Sequence, residues 1–183
     1  MRRMEKKTAK ERQSTVMQYI LFDLDGTLTD SGPGIVHAIQ YALGKRGMVE
    51  QDTGVLYRNF IGPPLSESFP KFYGFSPEET IEAIGFFREY YDKRGIYENK
   101  PYTGIPALLA RLKAAGKQIA LATSKPIYLA EQVLEHFELR QYFDQVCGGS
   151  KDESRNGKAD IIEDALSALG ILDLGQAGMV GDR

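Results

Sequence analysis

A chain of 183 residues can bury one substantial hydrophobic core, or a core with a small insert. Its 42% apolar and 26% charged residues are ordinary for a soluble globular protein, and a formal net charge of −2 gives no global attraction to nucleic acid or anionic membranes. A single cysteine, Cys147, excludes an internal disulfide, suits a reducing cytoplasm and, lacking Cys or His neighbours at ligand spacing, reads as a small core residue.

In chain order, residues 1–18 come first as a basic extension. Arg2, Arg3, Lys6, Lys7, Lys10 and Arg12 face only Glu5 and Glu11, without the apolar stretch of a secretory signal, and a frayed, solvated segment is expected. Tyr19-Ile20-Leu21-Phe22 is an apolar run that reads as a buried strand, broken by Gly26. Gly32-Pro33-Gly34 opens a helix with Ile35, Ile39 and Leu43 on one stripe. A second helix is predicted from Ser76 as N-cap, Pro77 at the first position and Glu79 closing a capping box, with Ile81, Ile84, Phe87 and Tyr91 as its apolar stripe. Residues 33–100 therefore read as a helical insert without a strand.

From Pro101 the pattern alternates. A helix through Ile105, Leu108, Leu109 and Leu112 stops at Gly116, and the strand Gln118–Ala122 follows. Thr123-Ser124-Lys125-Pro126 is expected to end that strand and start a helix carried by Ile127, Ala130, Val133, Leu134 and Phe137. Phe143 to Cys147 suggests a short strand, Ile161 to Leu169 a helix closed by Gly170, and Ala177–Val180 a last strand before Gly181-Asp182-Arg183. Strands alternating with helices imply a mostly parallel, doubly wound α/β sheet. No segment reaches the ~20 apolar residues of a membrane span.

The chemistry concentrates at predicted strand ends, where ligands bind in such sheets. Asp23 and Asp25 stand one residue apart after the first strand, and two like charges there are costly unless a cation or proton separates them. Magnesium with oxygen ligands is the natural solution, although Asp-x-Asp-Gly also makes a good turn. Thr123 and Ser124 either bind phosphate at a helix N-terminus or simply cap it. Lys158 opens a helix whose dipole disfavours a cation, a weak sign of function; Lys125 and Lys151 are its rivals. Asp182 repeats the pattern of Asp23, an apolar strand followed by a carboxylate.

The string Asp23-Leu24-Asp25-Gly26-Thr27-Leu28-Thr29-Asp30-Ser31 closely resembles the first motif of the haloacid dehalogenase superfamily of phosphohydrolases. Leu121 to Pro126 resembles its second motif, Ser154 to Asp160 its third and Met179 to Asp182 the start of its fourth. The resemblance implies a Rossmann-like core over 19–32 and 101–183 with a helical cap over 33–100. It departs from the family at the end, because the second acid usual in the fourth motif, the last helix and the edge strand are not in the sequence; a core incomplete at its carboxyl end is expected. Phe60-Ile61-Gly62-Pro63-Pro64-Leu65 resembles the substrate-specificity loop of phosphoglycolate phosphatase-like and 5′-nucleotidase-like members, though a Gly-Pro turn between helices explains the same residues.

What the resemblance implies for function is magnesium-dependent hydrolysis of a small phosphate monoester, such as phosphoglycolate, a nucleoside monophosphate or a sugar phosphate. Asp23 is then the nucleophile that forms an aspartyl-phosphate, and Asp25 the general acid and base. Thr123, a backbone N–H near Ser124, and Lys158 hold the phosphoryl oxygens; Asp23, Asp25 (through its carbonyl) and Asp182 hold Mg2+. The implied partner is a small phosphorylated metabolite, with no nucleic acid or membrane, for a cytoplasmic monomer or weak homodimer. A phosphomutase similar to β-phosphoglucomutase and an inactive binding module are the alternatives.

Overall fold

A computed structural model of the protein describes residues 17–61, 63–150, 155 and 157–182. Most of the basic extension, residues 1–16, lies outside the described residues, as do Gly62 and Lys151. Strand β1 (Tyr19–Phe22) lies between β4 (Gln118–Pro126) and β6 (Ala177–Val180), and β5 (Gln145–Gly149) flanks β4. All three pairings are parallel, with Phe22 opposite both Leu121 and Val180. The ladder already includes Gln18, which donates its N–H to Gln176 and accepts from that of Gln118.

The period of two along the strands divides the core. Leu21, Ala120 and Ala122 point to one face, where Ile161 and Ala165 of α7 (Lys158–Ala168) cover them. Phe22, Ile119 and Leu121 point to the other, among Leu109 of α5 (Ile105–Ala114) and Leu129, Val133 and Leu134 of α6 (Ile127–His136). Helices on both faces make the sheet doubly wound, as the alternating pattern implied.

The helical insert comprises α1 (Gly32–Lys45), α2 (Thr53–Phe60), α3 (Leu65–Tyr73) and α4 (Pro77–Tyr91). A two-residue ribbon bounds it, β2 (Thr29–Asp30) pairing antiparallel with β3 (Lys100–Pro101). The sequence reading missed this ribbon, because two residues are too few to show a period. The insert shares one continuous core with the sheet: Ile39, Leu43, Leu56, Phe69, Phe87 and Tyr91 join Phe22 and Leu28 in the same cluster. Ser76 and Glu79 form the expected capping box, each side chain accepting the other's backbone N–H. The buried face of α4 is Thr80, Ala83, Phe87 and Tyr91, so Ile81, placed on the stripe from sequence, is instead exposed at 73%. Cys147 is half-buried rather than fully enclosed. No helix among the described residues is long and apolar enough to cross a membrane.

The expected end of β4 is corrected as well. The strand runs on to Pro126, and α6 begins only at Ile127 with Pro126 at its N-cap position. Thr123 pairs with Gly148 and Pro126 with Gly149, so Ser124 and Lys125 are an unpaired bulge on the β4 side. Thr123 and Ser124 therefore do not cap a helix. The bulge presses on its neighbour: a Cβ on Gly148 would lie 2.9 Å from the Lys125 carbonyl. Bulges of this kind re-aim a side chain, here that of Lys125.

Asp144 clips the sheet to α5. Its carboxylate accepts from Lys113 Nζ at 2.7 and 2.8 Å and from the Ile119 N–H at 2.7 Å. Burial pushes its pKa up from 3.8, but those donors outweigh burial and leave it lowered. A lowered folded pKa contributes stability that is present above the unfolded value and lost as the pH falls through the folded one. Asp144→Ala is expected to cost about 1–2 kcal/mol at pH 7, discounted for the partial exposure of the carboxylate. The gap from the parent chain, read by urea titration, narrows as the pH falls below 3.8. A gap independent of pH would exclude the carboxylate as its source.

Candidate active site

The carboxyl ends of β1, β4 and β6 converge with the start of α7 on one rim of the sheet. Asp23 follows β1 directly and prolongs its ladder, its N–H donating to the Val180 carbonyl at 2.9 Å. One carboxylate oxygen, Oδ1, accepts from the Leu24 N–H at 2.8 Å; the other, Oδ2, is ion-paired with Lys158 Nζ. Lys158 is the first residue of α7, behind Gly157 at the N-cap, and also donates to the Ala122 carbonyl at 3.1 Å. The Asp23 carboxylate thus offsets the mismatch between this lysine and the helix dipole.

After Asp23 the chain makes a tight turn. The Leu24 carbonyl accepts from the N–H groups of Thr27, Leu28 and Thr29, and Gly26 donates back to Thr29. Leu24 and Leu28 are fully buried and anchor the turn. Asp25 lies on this turn, where Lys125 Nζ is 3.1 and 3.3 Å from its two oxygens. Each of the paired carboxylates thereby has an ammonium of its own.

Lys125 is also the residue that the sequence reading set aside in favour of Lys158. The structure brings both to the site. Its side chain is only 5% exposed, donates to Tyr91 Oη at 2.6 Å and lies 4.8 Å from the centre of that ring. Burial lowers the pKa of this ammonium, but Asp25 and Tyr91 more than compensate and leave it raised. Tyr91 itself is pushed up by burial, an effect that Lys125 partly offsets. The signal for Lys125 in the sequence was its place beside Thr123 at a predicted strand end; its inward aim comes with the bulge, which no local pattern announces. Tyr91 gave none beyond a place on an apolar helix stripe.

Thr123 is buried beside these groups, its Oγ1 accepting the Lys125 N–H at 3.3 Å, and Ser124 is exposed. Asp182 follows β6 after Gly181, and its carboxylate turns onto the Asp25–Gly26 turn. A Cβ on Gly26 would lie 2.7 Å from Asp182 Oδ2, and Gly26 has φ +77°, so both space and backbone call for glycine. Across from Asp182, the hydroxyls of Tyr57 and Tyr102 are pushed up by burial and by the charges of Asp30 and Asp182. Pro63 and Pro64 are exposed between α2 and α3, and no hydrogen bond or ion pair among the described residues joins them to the site.

No three His, Cys or acidic side chains among the described residues group closely enough to hold a metal on side chains alone. A mixed set fits a hard cation better: the carboxylates of Asp23 and Asp182, at the ends of neighbouring strands, and the Asp25 carbonyl on the turn that Asp182 touches. These are all oxygen donors, and magnesium takes few protein ligands while keeping several waters.

A family model described as haloacid dehalogenase-like hydrolase matches residues 20–183. A 5′-nucleotidase of Pseudomonas aeruginosa is 40% identical over 164 residues, 90% of this chain and 73% of its own length. The tyrosine-protein kinase PtkA of Mycobacterium tuberculosis is 41% identical over 167 residues, 91% of this chain but only 56% of its own length. Among solved structures, a predicted phosphatase of Clostridium acetobutylicum superposes with a TM-score of 0.82 at 43% identity, covering 90% of this chain and 75% of that one.

The packing of Asp182 on Gly26 sets up a controlled comparison. Gly26→Ala strains the backbone and displaces the carboxylate; Gly47→Ala, at φ +71° with nothing within 4 Å, strains the backbone alone. Each is expected to lose about 1 kcal/mol of stability from the left-handed conformation. Only Gly26→Ala should also lower turnover of a phosphate ester. Equal kinetics for the two would separate Asp182 from the site.

Proposed function

We propose a mechanism and a substrate class from one premise: the chain belongs to the haloacid dehalogenase-like hydrolase family and is a phosphatase of that family. It hydrolyses a small phosphate monoester through an aspartyl-phosphate on Asp23, with magnesium held by Asp23, the Asp25 carbonyl and Asp182. The observation that carries this reading is the pair of carboxylates at the end of β1, each matched to a different lysine, Asp23 to Lys158 and Asp25 to Lys125. Two carboxylates with separate partners suit two separate roles.

In the first step an Asp23 oxygen forms a bond to phosphorus as the bond to the leaving oxygen breaks, and Asp25 gives that oxygen a proton. In the second, water attacks the same phosphorus, Asp25 takes its proton, and the acyl phosphate bond breaks to return the Asp23 carboxylate and inorganic phosphate. Lys158, Thr123 and the backbone N–H near Ser124 hold the phosphoryl oxygens, so that positioning and fixed charge carry most of the acceleration. Magnesium, when bound, supplies charge neutralisation for the phosphoryl group. Residues 33–100 act as a cap over this rim, in which Pro63 and Pro64, between α2 and α3, help to select the leaving group, and 19–32 with 101–183 form the catalytic core.

The proposed substrates are phosphoglycolate, a nucleoside monophosphate or a sugar phosphate, with nucleotides favoured by the Pseudomonas relative. Phosphate release from a panel of these esters tests the choice, and uniformly low rates across the panel would remove this substrate class. The Mycobacterium relative favours a second reading, in which the phosphoryl group passes to a hydroxyl other than water. Label transfer from ATP to a tyrosine peptide would support it.

Asp23→Asn, or removal of magnesium by EDTA, is expected to abolish turnover; undiminished activity in either case overturns the mechanism. Asp25→Asn should lose ~10²–10⁴-fold in kcat/KM on an alkyl phosphate, the usual contribution of a general acid or base. Its loss should be smaller on p-nitrophenyl phosphate, whose leaving group needs no proton. Equal losses would exclude Asp25 as the acid.

A further inference from the structure

Lys125 and Tyr91 sit where neither fold nor phosphate binding accounts for them. The Lys125 ammonium is almost fully buried, and a buried cation is costly where an apolar side chain of similar length would serve packing better. Its contacts are specific: both oxygens of Asp25, the hydroxyl of Tyr91 and the face of that ring. A carboxylate engaged through both oxygens by one ammonium has its rotamer fixed. Without that contact Asp25, with 26% of its side chain exposed, is free to turn away from the rim.

The two partners of Lys125 come from different parts of the chain. Asp25 belongs to the turn after β1, whereas Tyr91 ends α4 in the helical insert. The next residue, Asp92, accepts from Tyr128 Oη on α6 at 3.2 Å. Two consecutive residues at the end of α4 are thus fastened to the junction of β4 and α6, and the first of them touches the lysine that holds Asp25. The bulge at Ser124 and Lys125 makes this reach possible, because a regular strand would continue pairing with β5 there.

We propose that Lys125 is a positioning residue that aims the Asp25 carboxylate at the leaving oxygen, and that Tyr91 makes this aim depend on α4 being seated against the core. Proton transfer to the leaving group is then coupled to the position of the helical insert through one buried ammonium. The inference rests on the reading of Asp25 as general acid. It adds two residues that touch neither substrate nor phosphate but act through Asp25.

The test uses the full chain at saturating magnesium, comparing kcat/KM on an alkyl phosphate with that on p-nitrophenyl phosphate. Lys125→Met is expected to lose on the order of 10²-fold on the alkyl ester, the scale set by misplacing a catalytic group by about 1 Å. The loss on the nitrophenyl ester should be several-fold smaller, and Lys125→Arg should recover part of the alkyl-ester rate. Tyr91→Phe keeps the ring and removes only the hydroxyl, and it should show the same leaving-group dependence in weaker form. It also carries the test if Lys125→Met does not fold, as judged by circular dichroism. Equal losses on the two esters, or no loss, in the folded variants would overturn the proposal. Asp25→Asn distinguishes the two levels. If it alone shows leaving-group dependence, the positioning role fails and the acid stands; if it shows none, the acid assignment fails and the positioning role with it.

Discussion

Crowding of two carboxylates at the end of one buried strand is the constraint on which the rest of the site depends. Asp23 and Asp25 are two positions apart in an apolar setting, and each must be neutralised where it stands. Lys158 reaches Asp23 from the first residue of α7, and Lys125 reaches Asp25 from the bulge of β4. The turn between Leu24 and Thr29, closed by three N–H groups on the Leu24 carbonyl, holds Asp25 against Lys125 while Asp23 stays at the strand end with Lys158.

That arrangement explains several departures from ideal structure. A lysine opens α7 against the helix dipole because its charge is matched by Asp23. A bulge interrupts β4 because Lys125 must leave the ladder to enter the core, and Gly148 yields the space. Gly26 takes a left-handed conformation and carries no side chain because Asp182 packs where a Cβ would be. Each local cost lies within reach of the same two carboxylates, as expected where strain accompanies function.

The helical insert is bound to this centre by more than the chain crossings at β2 and β3. Its core runs without interruption into the sheet face through Phe22 and Leu28, and Tyr91 extends a hydroxyl to Lys125. Relatives matched over about nine-tenths of this chain carry names as different as 5′-nucleotidase and tyrosine-protein kinase. A shared fold allows such a range, since function is set by the site and its approaches rather than by the fold.

Much of this was legible in the residues themselves. The apolar run into Asp23-Leu24-Asp25-Gly26 marked the strand and its carboxylates, Ser76 and Glu79 marked the start of α4, and Ala177–Val180 marked the strand that delivers Asp182, because these signals are local and need only neighbours within a few positions. The rest depended on partners far away in sequence. Nothing near Lys125 announces that Asp25, 100 residues earlier, lies within 3.1 Å, or that Tyr91 supplies the hydroxyl between insert and core. Nor does the stripe of α4 reveal that Ala83 is buried while Ile81 faces water, because a helix with apolar residues on several sides is oriented by what packs against it. The sequence determined which groups are present and which strand ends carry them. Tertiary packing alone decided which ammonium meets which carboxylate, because burial and charge pairing are properties of surroundings assembled from distant segments.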